Sequence, residues 1–336
     1  MRKRGLVIAL VMSSALSSGA EESLVQRLVS DDQPTRKAAF EELARLDEKS
    51  KQALVPPLIH YVHDGPGPSI GPGPSIRESA VRVLSRMGPV VIPETIPLLD
   101  DADPVVRVAA LWILGKAAQP SYSPGIDRIG PILGPILPAL KSALKKSLKD
   151  PEPSVRRGAA LALARLPYPH AKDALPDLIE ALKDNDFGTR FEAAEAITQI
   201  DLRVEQVVPV FAEALKDDDL RGDAASSLSF LSDDVSASVK RIIPQLVPLL
   251  QDSEFDVRVD AVGMLARFCG PENHEIVPAL VQALEKADTM IERFGLAQAL
   301  EQIGSPEALK SAKRYKPTRK QLEREFEQLM SGPKPN

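Results

Sequence analysis

The sequence predicts an all-α protein, an α–α superhelix of about eight helical hairpins. Three observations lead there. Ala, Leu, Val and Ile dominate while aromatic residues make up only 4% of the 336 residues, a composition suited to many close helix–helix contacts. A short arginine-led pattern recurs eight times, and a proline-led pattern precedes most of its copies. A chain of this length lies at the upper limit for one globular core, and stacked repeats remove that limit.

The N-terminus comes first. Met1-Arg2-Lys3-Arg4 is cationic, and Gly5 to Leu16 is an apolar run. That run is too short to cross a bilayer, which takes about 20 residues. Ser18-Gly19-Ala20 places small residues before Glu21, so residues 1–20 read as an export signal peptide. The expectation is an exported bacterial protein, periplasmic or secreted, with no membrane span once the leader is cut. Losing Arg2, Lys3 and Arg4 takes the net charge from −5 to −8 (−5 minus 3).

The repeat copies are TRKAAFEEL, IRESAVRVL, VRVAALWIL, VRRGAALAL, TRFEAAEAI, LRGDAASSL, VRVDAVGML and ERFGLAQAL. Their arginines are Arg36, Arg77, Arg107, Arg156, Arg190, Arg221, Arg258 and Arg293, spaced 30 to 49 residues apart. Positions three, four and seven after the arginine share one face of a helix. Small residues there let a neighbouring helix come close. A preceding helix is marked at Val55-Pro56, Ile92-Pro93, Leu175-Pro176, Val208-Pro209, Ile243-Pro244 and Val277-Pro278, where the proline is expected to bend it. Asp64, Asp101, Asp184, Asp217 and Asp252 follow five of these prolines by eight residues. Asp101, Asp150, Asp184 and Asp252 precede an arginine by six, placed to accept from the next helix's N–H groups and from a neighbouring arginine.

Helix, proline, Asp turn, arginine and small-residue helix together resemble HEAT repeats, in the short bacterial form named after phycobilisome lyases. The resemblance covers residues 21–315. It implies an α-solenoid with its second helices on the concave face and Asp/Arg ladders between repeats.

The duplication GPGPSIGPGPSI lengthens one turn of this pattern. Asp64 to Arg77 is 13 residues where other copies have six, and removing one GPGPSI gives seven. Gly67-Pro68-Ser69-Ile70-Gly71 matches the G-x-S-x-G elbow, but that elbow needs a strand before the serine and a helix after it. Pro66, Pro68, Pro72 and Pro74 forbid both, so Ser69 is no nucleophile. Residues 119–131 form a second long excursion, and Asp217-Asp218-Asp219 crowds Arg221 and shortens its turn.

Catalytic readings find little support. A di-iron hydroxylase of the deoxyhypusine type carries several His-Glu pairs on its repeats. This chain has one, His274-Glu275, and Phe191 stands where a ligand histidine would be needed. His60, His63 and Asp64 make a weak metal patch that reads better as helix-end residues. The lone Cys269 excludes an internal disulfide and reads as a buried, inert thiol. The acidic balance disfavours nucleic acid. No cofactor or metal is expected.

From Lys310 to Lys320 the charges are all basic, and Thr318-Arg319-Lys320-Gln321 opens a last helix, so residues 316–336 read as a capping helix and tail. The functional expectation is a non-enzymatic scaffold holding a protein or peptide in the cell envelope; the alternative is a HEAT-like enzyme or enzyme accessory of the bilin-lyase or deoxyhypusine-hydroxylase kind. Positions one, two and five after each arginine are expected to face the open side. Glu192, Asp223 and Asp260, with Glu195 beside Glu192, would then form an acidic ladder for a basic partner. Trp112, Phe191 and Phe294 would be its aromatic anchors.

Overall fold

A computed structural model describes residues 19–64, 75–119, 130–315, 318 and 321. Among these residues there are eighteen α-helices, joined by short 3-10 turns, and no strand. The chain divides into two compact units, residues 1–196 and 197–336. The expected leader, the GPGPSI duplication up to Pro74 and most of the 119–131 excursion lie outside the described residues.

In the first unit α1 (Gly19–Leu28) pairs with α2 (Gln33–Arg45), and α3 (Glu48–Asp64) with α4 (Ile76–Leu84). The short α5 (Ile92–Thr95) precedes α6 (Pro104–Ala117), α7 (Gly130–Ser147) precedes α8 (Pro153–Ala164), and α9 (Leu175–Ala181) precedes α10 (Phe187–Ile200). Four residues of α10 fall in the second unit. That unit continues with α11 (Val208–Ala214), α12 (Arg221–Phe230), α13 (Ser236–Lys240), α14 (Ile243–Leu246) and α15 (Phe255–Phe268). It closes with α16 (Val277–Lys286), α17 (Met290–Ile303) and α18 (Pro306–Tyr315). The arginine-led helices stack on one another: α4 on α6 and α6 on α8 in one unit, α12 on α15 and α15 on α17 in the other.

The packed face is the one the spacing predicts. Position three is alanine in seven repeats and Leu296 in the eighth, position seven is Leu or Ile throughout, and every one is buried. Each fully buried Leu contributes about 1.5–3 kcal/mol, and the alanines let helix axes approach.

The prolines act differently from the expectation of a bend. Pro93, Pro176, Pro209, Pro244 and Pro278 each stand in the first turn of an α-helix, where a missing N–H leaves nothing unsatisfied. Only Pro56 of that set, with Pro57 beside it in α3, lies inside a helix.

The ladder forms as the Asp and Arg spacing implies. The Nη1 of Arg107, Arg156, Arg190 and Arg258 donates to the carbonyl six residues upstream, at 2.8–3.0 Å. Guanidinium groups also reach the next repeat: Arg107 to Asp150, Arg156 to Asp184 and Arg221 to Asp252. Each of these aspartates also accepts from the N–H two residues on, which ties off the start of the following helix. Repeat eight has no turn aspartate eight residues after its proline. There Glu292 replaces it, buried, bound to Arg258 at 2.9 Å and closing a capping box with Thr289. The crowded turn of repeat six costs its helix a turn. Arg221 is the first residue of α12, whereas Arg107, Arg190, Arg258 and Arg293 stand fourth in fourteen-residue helices.

The last repeat is covered by α18, which buries Ala308 and Ala312 and packs on α16 and α17. The capping helix expected over 316–336 lies outside the described residues apart from Thr318 and Gln321. Thr318 does bond Gln321 as a helix start would, its N–H and hydroxyl reaching Oε1 at 2.9 and 2.7 Å, and the residues beyond lie outside those described.

Candidate binding surface

The open face of the second helices is set by positions five and nine, one helical turn apart. None of the sixteen residues at these positions is buried. Position two, expected to be open, is exposed at Ala38 and Asp223 but closely packed in three other repeats. Ser79 is 3% exposed, a Cβ on Gly158 would lie 3.1 Å from Leu111, and a Cβ on Gly295 would lie 2.3 Å from Val262. Helices stacked in a row contact neighbours on both flanks, so the unpacked arc is narrower than a single hairpin suggests.

That geometry sorts the expected site residues. Phe191 at position one is 5% exposed, so its ring belongs to the packing and is not a surface anchor. Trp112 at position five is 47% exposed and Phe294 is 36% exposed. Glu192 and Glu195 are half-buried on α10, Asp223 is exposed on α12, and Asp260 is half-buried on α15. Burial pushes the Asp260 carboxyl above its ordinary value, against a hydrogen bond from Ser229. Glu192 lies in the first unit, Asp223 and Asp260 in the second.

In the first unit Trp112 is flanked by two cations. Lys116, one turn on, lies 5.5 Å from the ring centroid, and Arg165 of the next repeat lies 5.0 Å from it. Burial pulls the Arg165 guanidinium below its usual value and the charge of Glu192 pulls it back up. A guanidinium stays charged in such a setting. A similar contact recurs two repeats earlier, where Arg86 sits 5.0 Å over Phe40. Position nine was not singled out in the sequence, although adding one turn to the helical wheel would have found it.

The remaining candidates have structural partners. His63 pairs with Asp101 of the next repeat at 3.0 Å. His274 and Glu275 are both exposed and 3.9 Å apart. Burial, with the charges of Glu272 and Glu275, pushes the Cys269 thiol up to about 12, which keeps it protonated and unreactive. Asp64's side chain and Ser69 fall outside the described residues. No helix among the described residues is long and apolar enough to cross a membrane.

A family model described as HEAT repeats matches residues 138–229 and 243–319, half of the chain. No curated protein sequence matches it. Among solved structures, an engineered protein is similar at 19% identity over 95% of this chain and 90% of its own, with a TM-score of 0.53. Importin beta is similar at 16% identity over 90% of this chain and 47% of its own, with a TM-score of 0.57. Escherichia coli YibA is similar at 18% identity over 83% of this chain and 96% of its own, with a TM-score of 0.50. At these identities the likeness is one of fold.

Proposed function

The chain belongs to the HEAT-repeat family, and from that premise we propose that it is a non-enzymatic scaffold that binds a protein or peptide along its second helices. One observation carries this reading. Positions three and seven hold nearly the same residues in every repeat, while positions five and nine hold Glu, Arg, Trp, Lys, Leu, Gln, Ser, Phe and Gly in no fixed order. A face that varies from repeat to repeat on an invariant frame suits recognition of one particular partner. In the second unit the exposed Asp223 and the 69% exposed Phe230 lie two turns apart on α12, which suits a basic segment bearing apolar side chains.

Export is part of the proposal, and residues 1–20 support it. Protein from the native host is expected to begin at Glu21, and recovery of intact Met1 in the soluble cytoplasm overturns the export reading. The scaffold reading is tested by crosslinking and pull-down from the cell envelope. One saturable protein partner is the expected result. A metal-loaded chain that turns over a substrate and captures no protein would return the enzyme reading.

A further inference from the structure

Position nine, in or next to the last turn of the second helix, is a cation in each of the first four repeats: Arg45, Arg86, Lys116 and Arg165. In the other four it is Gln199, Phe230, Arg267 and Gln302. The helix dipole favours a cation here in every repeat, so it does not account for the change after repeat four. All four cations belong to the first unit and none is buried. Among the described residues none has a carboxylate within ion-pair distance. Neighbouring ladder arginines differ in this respect: Arg107, Arg156 and Arg157 each hold an aspartate at 2.7–2.9 Å. Even Arg267, the cation at position nine of repeat seven, is neutralised by Asp233 at 2.6 Å. Three of these four charges, Arg165 with the charge of Glu192 acting on it, are also positioned. Arg86 is laid on Phe40, and Lys116 and Arg165 on Trp112, contacts that fix a cation without cancelling its charge.

We propose that this row of Arg45, Arg86, Lys116 and Arg165 is a docking track for an acidic, extended polypeptide segment, with Trp112 as its apolar contact. The proposal rests on the scaffold reading and names the partner chemistry for the first unit. Neighbouring second helices stack about 8–10 Å apart, and an extended chain in the polyproline II conformation has three residues per turn and rises about 3.1 Å per residue, which sets every third side chain on one face. A segment with Glu or Asp at every third residue therefore presents one carboxylate to each cation in turn. Nucleic acid is the poorer fit. Its phosphates follow one another far more closely and are met by dense Lys/Arg clusters, whereas this track offers one cation per repeat on a chain of net charge −5.

The test uses the full chain and a fluorescein-labelled peptide of about twelve residues, with Glu at every third position and Ser and Gly between. Binding is followed by anisotropy and by the emission of Trp112, the only tryptophan in the chain. The expected result is binding that weakens as salt rises and shifts the Trp112 emission. Replacing Arg45, Arg86, Lys116 and Arg165 together by Gln is expected to weaken it by about tenfold or more. Arg45→Gln with Arg86→Gln, both at exposed sites, is expected to lose part of that affinity with an unchanged melt, which separates binding from folding. Equal binding of the peptide with Lys in place of Glu overturns the proposal, as does wild-type affinity in both variants. Tighter binding of a single-stranded oligonucleotide of equal charge overturns it in favour of nucleic acid. A captured envelope partner whose capture survives the quadruple substitution leaves the scaffold reading standing and removes this one.

Discussion

Arg156 and Asp184 meet through two parallel hydrogen bonds, Nε to Oδ2 and Nη2 to Oδ1, each 2.7 Å long. The third arm of the guanidinium, Nη1, donates to the Asp150 carbonyl 2.9 Å away in its own turn. One side chain thus fixes the turn of its own repeat and the turn of the next, with both partners largely shielded from water. Cutting Asp184 back to alanine strands a shielded guanidinium and frees the Asp186 N–H. A loss of about 2–3 kcal/mol is expected in urea unfolding. Asp218→Ala, at a side chain 98% exposed, is expected to change stability little, because Arg221 keeps Asp252. Equal effects of the two substitutions would refute the ladder as a source of stability.

Acid should dissolve the ladder in a defined window. Burial pushes Asp184, Asp252 and Glu292 up, but hydrogen bonds from Arg156, Arg221, Arg258, Thr289 and backbone N–H groups leave all three below their ordinary values of 3.8 and 4.5. A depressed folded value stabilises fully above the unfolded value, and that stability is lost as pH falls through the folded one. The melting temperature should therefore hold from neutral pH to near 5 and fall below about 4. Asp184→Asn should flatten that fall, and an unchanged slope would count against the assignment.

Asp260 has the opposite sign. Its carboxyl is raised, so its ionised form costs stability at neutral pH and protonation relieves the cost. Asp260→Asn is expected to melt higher than the parent at pH 7, with the gap closing below about pH 4. A lower melt at pH 7 would mean the carboxylate holds a partner and is not merely desolvated.

Two glycines in adjacent helices should respond oppositely to the same change. Gly295 lies where α17 meets α15, and an added methyl would stand 2.3 Å from Val262. Gly295→Ala is expected to cost about 1–3 kcal/mol and to be partly rescued by Val262→Ala. Gly263 has nothing within 4 Å of its would-be Cβ, and Gly263→Ala should stabilise by about 1 kcal/mol. Chemical denaturation of the three variants checks the contrast.

The ladder and the packed face were legible because each is a fixed spacing along one helix: arginine, alanine three on, leucine seven on. The open face was not, because its limits depend on flanking helices. Position two looks free on an isolated hairpin, yet Ser79 is buried and the repeat before packs against Gly158 and Gly295. Phe191 was misread for the same reason. Glu292 escaped notice since it replaces an aspartate of the turn with a residue of the following helix, and only folding brings it to Arg258.

The duplicated turn offers a test in which one deletion rebuilds what it removes. Ser75 caps α4, accepting from the Glu78 N–H at 3.2 Å while its own N–H donates to Glu78 Oε2 at 3.1 Å. Losing this cap through Ser75→Ala should cost about 1 kcal/mol. Deleting Gly71 to Ile76 removes Ser75 altogether, yet it joins Ser69-Ile70 to Arg77-Glu78 and sets Ser69 in the same register. Because loop length changes closure entropy only slowly, the deletion should shift stability by less than about 1 kcal/mol. Ser69→Ala should be silent in the full chain. In the shortened chain it should cost about 1 kcal/mol, since Ser69 would then be the cap. Equilibrium unfolding of the four chains decides the matter: a Ser69→Ala effect that is the same in both backgrounds would show that the second copy carries more than a spare cap.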